Sequence, residues 1–340
     1  MTDHDYRGVQ VLLVDRDSNI RRLLRGILAR MGMSAITEFA TVQEAGPSLS
    51  GTLLDLVLVE ADPPEGDGFR FIQALRHSQA ATNPFAGVIA TTWQPTQALM
   101  VRFAASGADD LLVKPFSAKQ VHDRVANIVE NRKPYVVTSE YVGPDRRKAP
   151  REGQQIPLVE VPNTLRQKAL GQFDRSKVGE SIAKGLADIN DQKVVRHGFQ
   201  VAFLVIFALP GLSQDPPDRM ALEHLLRVAI PLEDLLRRLA ATELRSQVET
   251  YAHALRLQLD KVRLQSHAGP EEVEALRRAA IGLAALTARR ADMEALEQEV
   301  RVAVNSYRSR LDQIAQAKAA QAAPEKPAAE KAAEEAGPPD

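Results

Sequence analysis

The chain has 340 residues, and at about 150 residues per domain that length suggests two units, not one core. Hydrophobic residues make up 44% and charged residues 26%, and a net charge of −1 excludes whole-chain attraction to nucleic acid or anionic membrane. Cysteine is absent, which excludes disulfides, thiolate zinc sites and cysteine nucleophiles and fits a reducing compartment.

The first residues hold no apolar stretch, so no signal peptide is read. Residues 9–130 then alternate short aliphatic runs with helical patterns. Val11 to Val14 ends at acids, as a buried parallel strand does, and residues 18–31 place Ile20, Leu23, Leu24, Ile27 and Leu28 on one helical face. Ser18 or Asn19 is the expected N-cap. The alternation recurs with aliphatic runs at 56–59, 88–90 and 111–113, each followed by a helical stripe. This order argues a parallel sheet covered by helices on both faces.

Residues 131–162 read as a basic linker. Pro134, Gly143, Pro144, Pro150 and Pro157 punctuate a stretch carrying Arg146, Arg147, Lys148 and Arg151, with a short extended segment at Tyr135–Val137. Residues 163–318 are helical in pattern. The longest apolar run, 201–209, is closed by Pro210-Gly211 and falls short of the ~20 residues a membrane helix needs. Beyond it, leucines step by three and four through Leu259 and Val262, and the stripe resumes at Val273 after a Gly269-Pro270 break. Two arms of ~45–50 residues would form an antiparallel hairpin roughly 70 Å long. Leu255, Leu259, Val262, Leu276 and Leu283 are its expected interaction residues, making a homodimer or seating a partner helix. Residues 319–340, rich in Ala, Glu, Lys and Pro, read as a disordered tail.

Four motifs stand in order within the first 130 residues: Leu12-Leu13-Val14-Asp15 with Arg21 six residues on, Asp67-Gly68-Phe69, Gly107-Ala108-Asp109-Asp110, and Lys114-Pro115-Phe116-Ser117. On these the stretch resembles the receiver domain of bacterial response regulators. The resemblance implies an α/β flavodoxin-like fold, a parallel five-stranded sheet in order 2-1-3-4-5, followed here by an all-α domain with the long hairpin. It also implies an acidic pair after the first strand, a phosphoacceptor aspartate after the third, a Thr or Ser after the fourth and a Lys-Pro after the fifth. Phosphoryl transfer to a carboxylate needs a divalent cation on the crowded oxygens, a lysine for the phosphoryl group and a hydroxyl that senses it. Lys114 supplies the lysine, and Thr92, fifteen residues before Gly107, the hydroxyl, with Thr91 as the alternative.

The departures bear on function. The phosphoacceptor position, eight residues before Gly68, is Glu60, whose carboxylate stands one methylene further out. After Asp15, where the family has a second metal-binding acid, stands Arg16, a fixed positive charge; Asp17 follows. Trp93 replaces a small residue and Leu111 an aromatic one. A degenerate pocket of Asp15, Arg16, Asp17, Glu60, Thr92 and Lys114 is therefore expected, with an Arg16–Glu60 ion pair and Mg²⁺ binding weak or lost. The implied function is a cytoplasmic, non-enzymatic signalling adaptor in a two-component or chemotaxis-like pathway. It would contact a sensor kinase or another pathway protein, without DNA binding, because no helix-turn-helix or zinc-finger pattern follows, and without membrane insertion, because the longest apolar run is too short. The alternative is a phosphoaccepting relay component using Asp62, or His253 beside Arg256.

Overall fold

The structure, a computed structural model, describes residues 4–61, 67–78, 80–147, 157–214, 216, 218–239, 242–265 and 268–322. It divides into two compact units, Met1–Arg196 and His197–Asp340. The first begins β1 (Gln10–Val14), α1 (Ser18–Arg30), β2 (Ala35–Phe39), α2 (Val42–Ala45), α3 (Ser48–Gly51), β3 (Leu56–Glu60), α4 (Gly68–His77), β4 (Gly87–Thr92), α5 (Gln97–Ser106), β5 (Asp110–Val113) and α6 (Ala118–Asn131). The five strands are parallel, in order β2-β1-β3-β4-β5. Every residue of β3 and β4 is buried, as central strands covered on both faces require. One face packs Leu24, Ile27 and Leu28 of α1 with Val121, Val125 and Ile128 of α6; the other packs Phe69 and Ile72 of α4 with Leu99 and Phe103 of α5.

The helices start where short side chains satisfy free amides. Asp17, in place of the expected Ser18 or Asn19, caps α1 by accepting from the Asn19 amide, and Asp67 caps α4. Ser117 and Gln120 form a capping box on α6. Gly68 is required for a close approach: a Cβ there would lie 2.0 Å from the Glu60 carbonyl oxygen. The Asp-Gly motif thus brings the start of α4 against the end of β3.

The expected linker is corrected. Residues 131–162 hold β6 (Tyr135–Val137), β7 (Val142–Pro144) and β8 (Leu158–Val159), an antiparallel sheet in order β7-β6-β8. Tyr135, Val137, Val142 and Val159 form a third core with Phe85, Val178, Ile182 and Ile189. Gly107, in a left-handed conformation that closes α5, admits β7: a Cβ there would meet the Val142 carbonyl oxygen at 2.5 Å. Arg146 is not a solvated linker charge, since its guanidinium stacks 3.9 Å over the Phe103 ring and donates to the Ala108 carbonyl. Then follow α7 (Thr164–Ala169) and α8 (Val178–Leu212), whose first part belongs to this unit.

The second unit takes the rest of α8 with α9 (Arg219–Leu226), α10 (Ala229–Arg238), α11 (Leu244–Gln265), α12 (Pro270–Thr287) and α13 (Met293–Ala322). α8 runs on through Pro210 instead of closing there, and it alone among the described residues is long and apolar enough to cross a membrane. Of its most apolar window 67% is buried, the pattern of a core helix. The hairpin is real but short: α11 and α12, of 22 and 18 residues, pack against each other across Gly269, and the expected arms break between α9, α10 and α11 and again before α13. Leu255, Val262, Leu276 and Leu283 are fully buried and Leu259 half-buried, so the stripe read as an interaction surface is core within this unit. Of the tail expected from residue 319, residues 319–322 are helical instead, because α13 continues to Ala322; the rest of that expectation, 323–340, lies outside the described residues.

Candidate functional site

β1, β3, β4 and β5 bring Asp15, Glu60, Thr92 and Lys114 together at their carboxyl ends, and all four are buried. The strand register makes this automatic, since Val14 pairs with Val59, Glu60 with Thr91 and Thr92 with Val113. Lys114 is the centre. Its ammonium donates to Asp15 Oδ2 at 2.5 Å and to Glu60 Oε1 at 2.9 Å. The expected Arg16–Glu60 pair is present at 3.6 Å from Nε to Oε2, and the Arg16 amide reaches the same oxygen at 3.4 Å. Its guanidinium is 48% exposed, so solvent weakens this contact relative to the buried lysine contact.

Asp17, expected within the pocket, is not part of it: its carboxylate is engaged as the α1 cap while its amide donates to Asp15 Oδ1 at 3.0 Å. Burial pushes the Asp15 carboxyl above its ordinary value, against the pull of Lys114. Thr92 Oγ1 accepts from the Gln94 amide at 3.1 Å. Leu111 packs half-buried against the α4–α5 core.

Two residues noted in the sequence, Trp93 and Arg21, were not counted among the pocket residues, yet both contact it. The Trp93 ring centre lies 5.4 Å from the Lys114 ammonium, and the side chain is 44% exposed. Arg21 donates to the Asp15 carbonyl at 2.6 Å and the Arg16 carbonyl at 3.2 Å, bracing the loop that carries both. The signal for Arg21 was its spacing from Asp15; Trp93 had only its position after Thr92. Asp62 lies outside the described residues. His253 is exposed on α11, remote in sequence and in a different unit from the pocket.

Comparison with known proteins finds relatives of the stretch that carries this pocket. The family described as "Response regulator receiver domain" matches residues 11–126. A probable chemotaxis protein CheY of Rhizobium etli is 32% identical over 116 residues, 33% of this chain and 86% of that protein. The transcriptional regulatory protein ResD of Bacillus subtilis is 34% identical over 116 residues, 34% of this chain and 46% of ResD, so the match spans about half of that relative. A two-component response regulator structure from Clostridium difficile shares 24% identity, covering 36% of this chain and 97% of that one at a TM-score of 0.33. Through residues 11–126, the chain belongs to the response regulator receiver family.

Proposed function

We propose that this receiver is not phosphorylated at the usual site and that Glu60 takes the place of the phosphorylated aspartate. The observation that carries the reading is the Lys114–Glu60 contact at 2.9 Å, in which a fixed carboxylate occupies the lysine that would otherwise meet a phosphoryl group. All four carboxylate oxygens at the site have partners: Asp15 meets Lys114 and the Asp17 amide, and Glu60 meets Lys114 and Arg16. An ammonium between the two acids and a guanidinium beside them oppose a divalent cation, so Mg²⁺ binding is weak or lost.

On this reading the chain is a non-enzymatic signalling adaptor in a two-component or chemotaxis-like pathway, soluble in the cytoplasm. It contacts a sensor kinase or another pathway protein, and its helical unit serves protein contacts, with neither DNA nor membrane as partner. Acetyl phosphate with Mg²⁺ should leave the full chain without an acid-labile phosphoryl group by mass spectrometry. A stoichiometric phosphoryl group mapped to Asp62 or His253 would replace this reading by the relay.

A further inference from the structure

At the amino ends of β1 and β3, the pole opposite Glu60 and Lys114, the first unit holds an open cavity of about 1010 Å³. That is the size of small-ligand pockets. Its apolar wall is Phe173 with Val178, Ile182 and Leu186, the last three spaced one helical turn apart on α8. Arg7, Lys168 and Arg175 line it, and among the described residues no acid does. Arg7 and Lys168 are paired with Asp5 and Asp55, neither of which lines the cavity, while Arg175 has no ion pair among the described residues. The Lys168 ammonium also lies 4.8 Å from the centre of the Phe173 ring, so charge and apolar surface adjoin.

The cavity also borders two exposed glycines at helix ends, Gly51 and Gly179. Neither takes a positive φ, and a Cβ built on either meets nothing within 4 Å. Gly51 is the last residue of α3 and Gly179 the second of α8, so a side chain at either would have room beside the cavity. Val178 and Ile182 are more than nine-tenths buried, which gives a recess with limited apolar exposure and not the broad face a protein partner needs.

We infer that this cavity binds a small amphiphilic anion, its apolar body against Phe173 and Leu186 and its head group towards Arg175 and Lys168. The probe is anilinonaphthalene sulfonate titrated into the full chain, with octanoate and octanol as competitors. One saturable site is expected, displaced by octanoate and about tenfold less well by octanol. Gly179→Glu fills the recess with an acid at the first turn of α8, where an acid suits the helix, and Arg175→Glu reverses an exposed charge. Each should weaken the dye about tenfold without lowering the thermal midpoint. Absence of a saturable site, equal displacement by the alcohol, or undiminished binding in both folded variants would overturn the inference.

Discussion

Lys114 reaches Glu60 at 2.9 Å while holding Asp15 at 2.5 Å, and none of the three side chains is more than 3% exposed. Two buried carboxylates therefore share one ammonium. Lys114→Met leaves both acids facing each other and should destabilise the first unit by about 3–5 kcal/mol, the range for breaking a buried ion pair. Adding Glu60→Gln removes half of the stranded charge and should restore part of that loss. Urea unfolding of the two variants measures the coupling; a single variant as stable as the parent would show that Lys114 is not needed to offset the acids.

Metal binding should be recoverable. Arg16→Asp with Glu60→Asp restores the family's acids and shortens the carboxylate that reaches Lys114. The parent should show no Mg²⁺-dependent change in the fluorescence of Trp93, its single tryptophan, whereas the double variant should show saturable quenching. Saturable quenching of the parent at the same Mg²⁺ would mean that Arg16 does not exclude the cation.

The pocket was legible because its residues sit at fixed spacings from glycine and proline landmarks: Glu60 from Gly68, Thr92 and Lys114 from Gly107. The central strands announced themselves as aliphatic runs. β2 did not, because Ala35–Phe39 is an edge strand of half-buried and exposed residues. β6 matches the extended segment read at Tyr135–Val137, but β7 and β8, of three and two residues, are too short for any period, and the prolines around them read as linker. The leucine stripe was real, but periodicity continues across the breaks between α9, α10 and α11 and cannot say whether its partner lies in the same chain.

The segment after α6 should matter to the receiver's stability. Arg132 bridges Asp109 at 2.8 Å, the Phe85 carbonyl at 2.6 Å and the Tyr135 hydroxyl at 2.6 Å. Fully buried Arg76 holds the same Asp109 at 2.8 Å. A fragment ending at residue 130 loses Arg132 and Tyr135 and uncovers Phe85. It should unfold at a lower urea midpoint than the fragment 1–196, and equal midpoints would return residues 131–196 to the status of linker.

Alkali should act through the same cluster. Burial pushes the Tyr135 phenol up to about 12 from an ordinary value of 10.0. Between those values the unfolded chain gives up a proton that the folded chain keeps, so the stability held below pH 10 falls as pH rises towards about 12. Tyr135→Phe should flatten that fall while costing the Arg132 hydrogen bond, about 1 kcal/mol, at neutral pH. Tyr6, also raised to about 12, leaves part of the slope in place. Unfolding free energies from pH 8 to 12 would show it, and an unchanged slope in the variant would clear Tyr135 of the effect.

The hairpin now carries the opposite expectation from the one its leucine stripe suggests. Leu276 and Leu283 of α12 and Leu255 and Val262 of α11 are fully buried, and Tyr251 packs so closely on Gly282 that a Cβ there would lie 2.4 Å from its ring. Leu276→Glu places a charge in that core without a partner and should destabilise the second unit by roughly 4 kcal/mol or more. Circular dichroism should then show loss of helix at temperatures where the parent is folded, with the receiver's transition unchanged. Leu257 and Leu264 on α11 are 50% and 86% exposed, so Leu264→Glu should leave both transitions in place. If the hairpin joins two chains, only such exposed positions can carry the contact, and Leu264→Glu should lower the molar mass seen by light scattering. A Leu276→Glu chain that keeps its helix and merely dissociates would place the stripe between molecules after all.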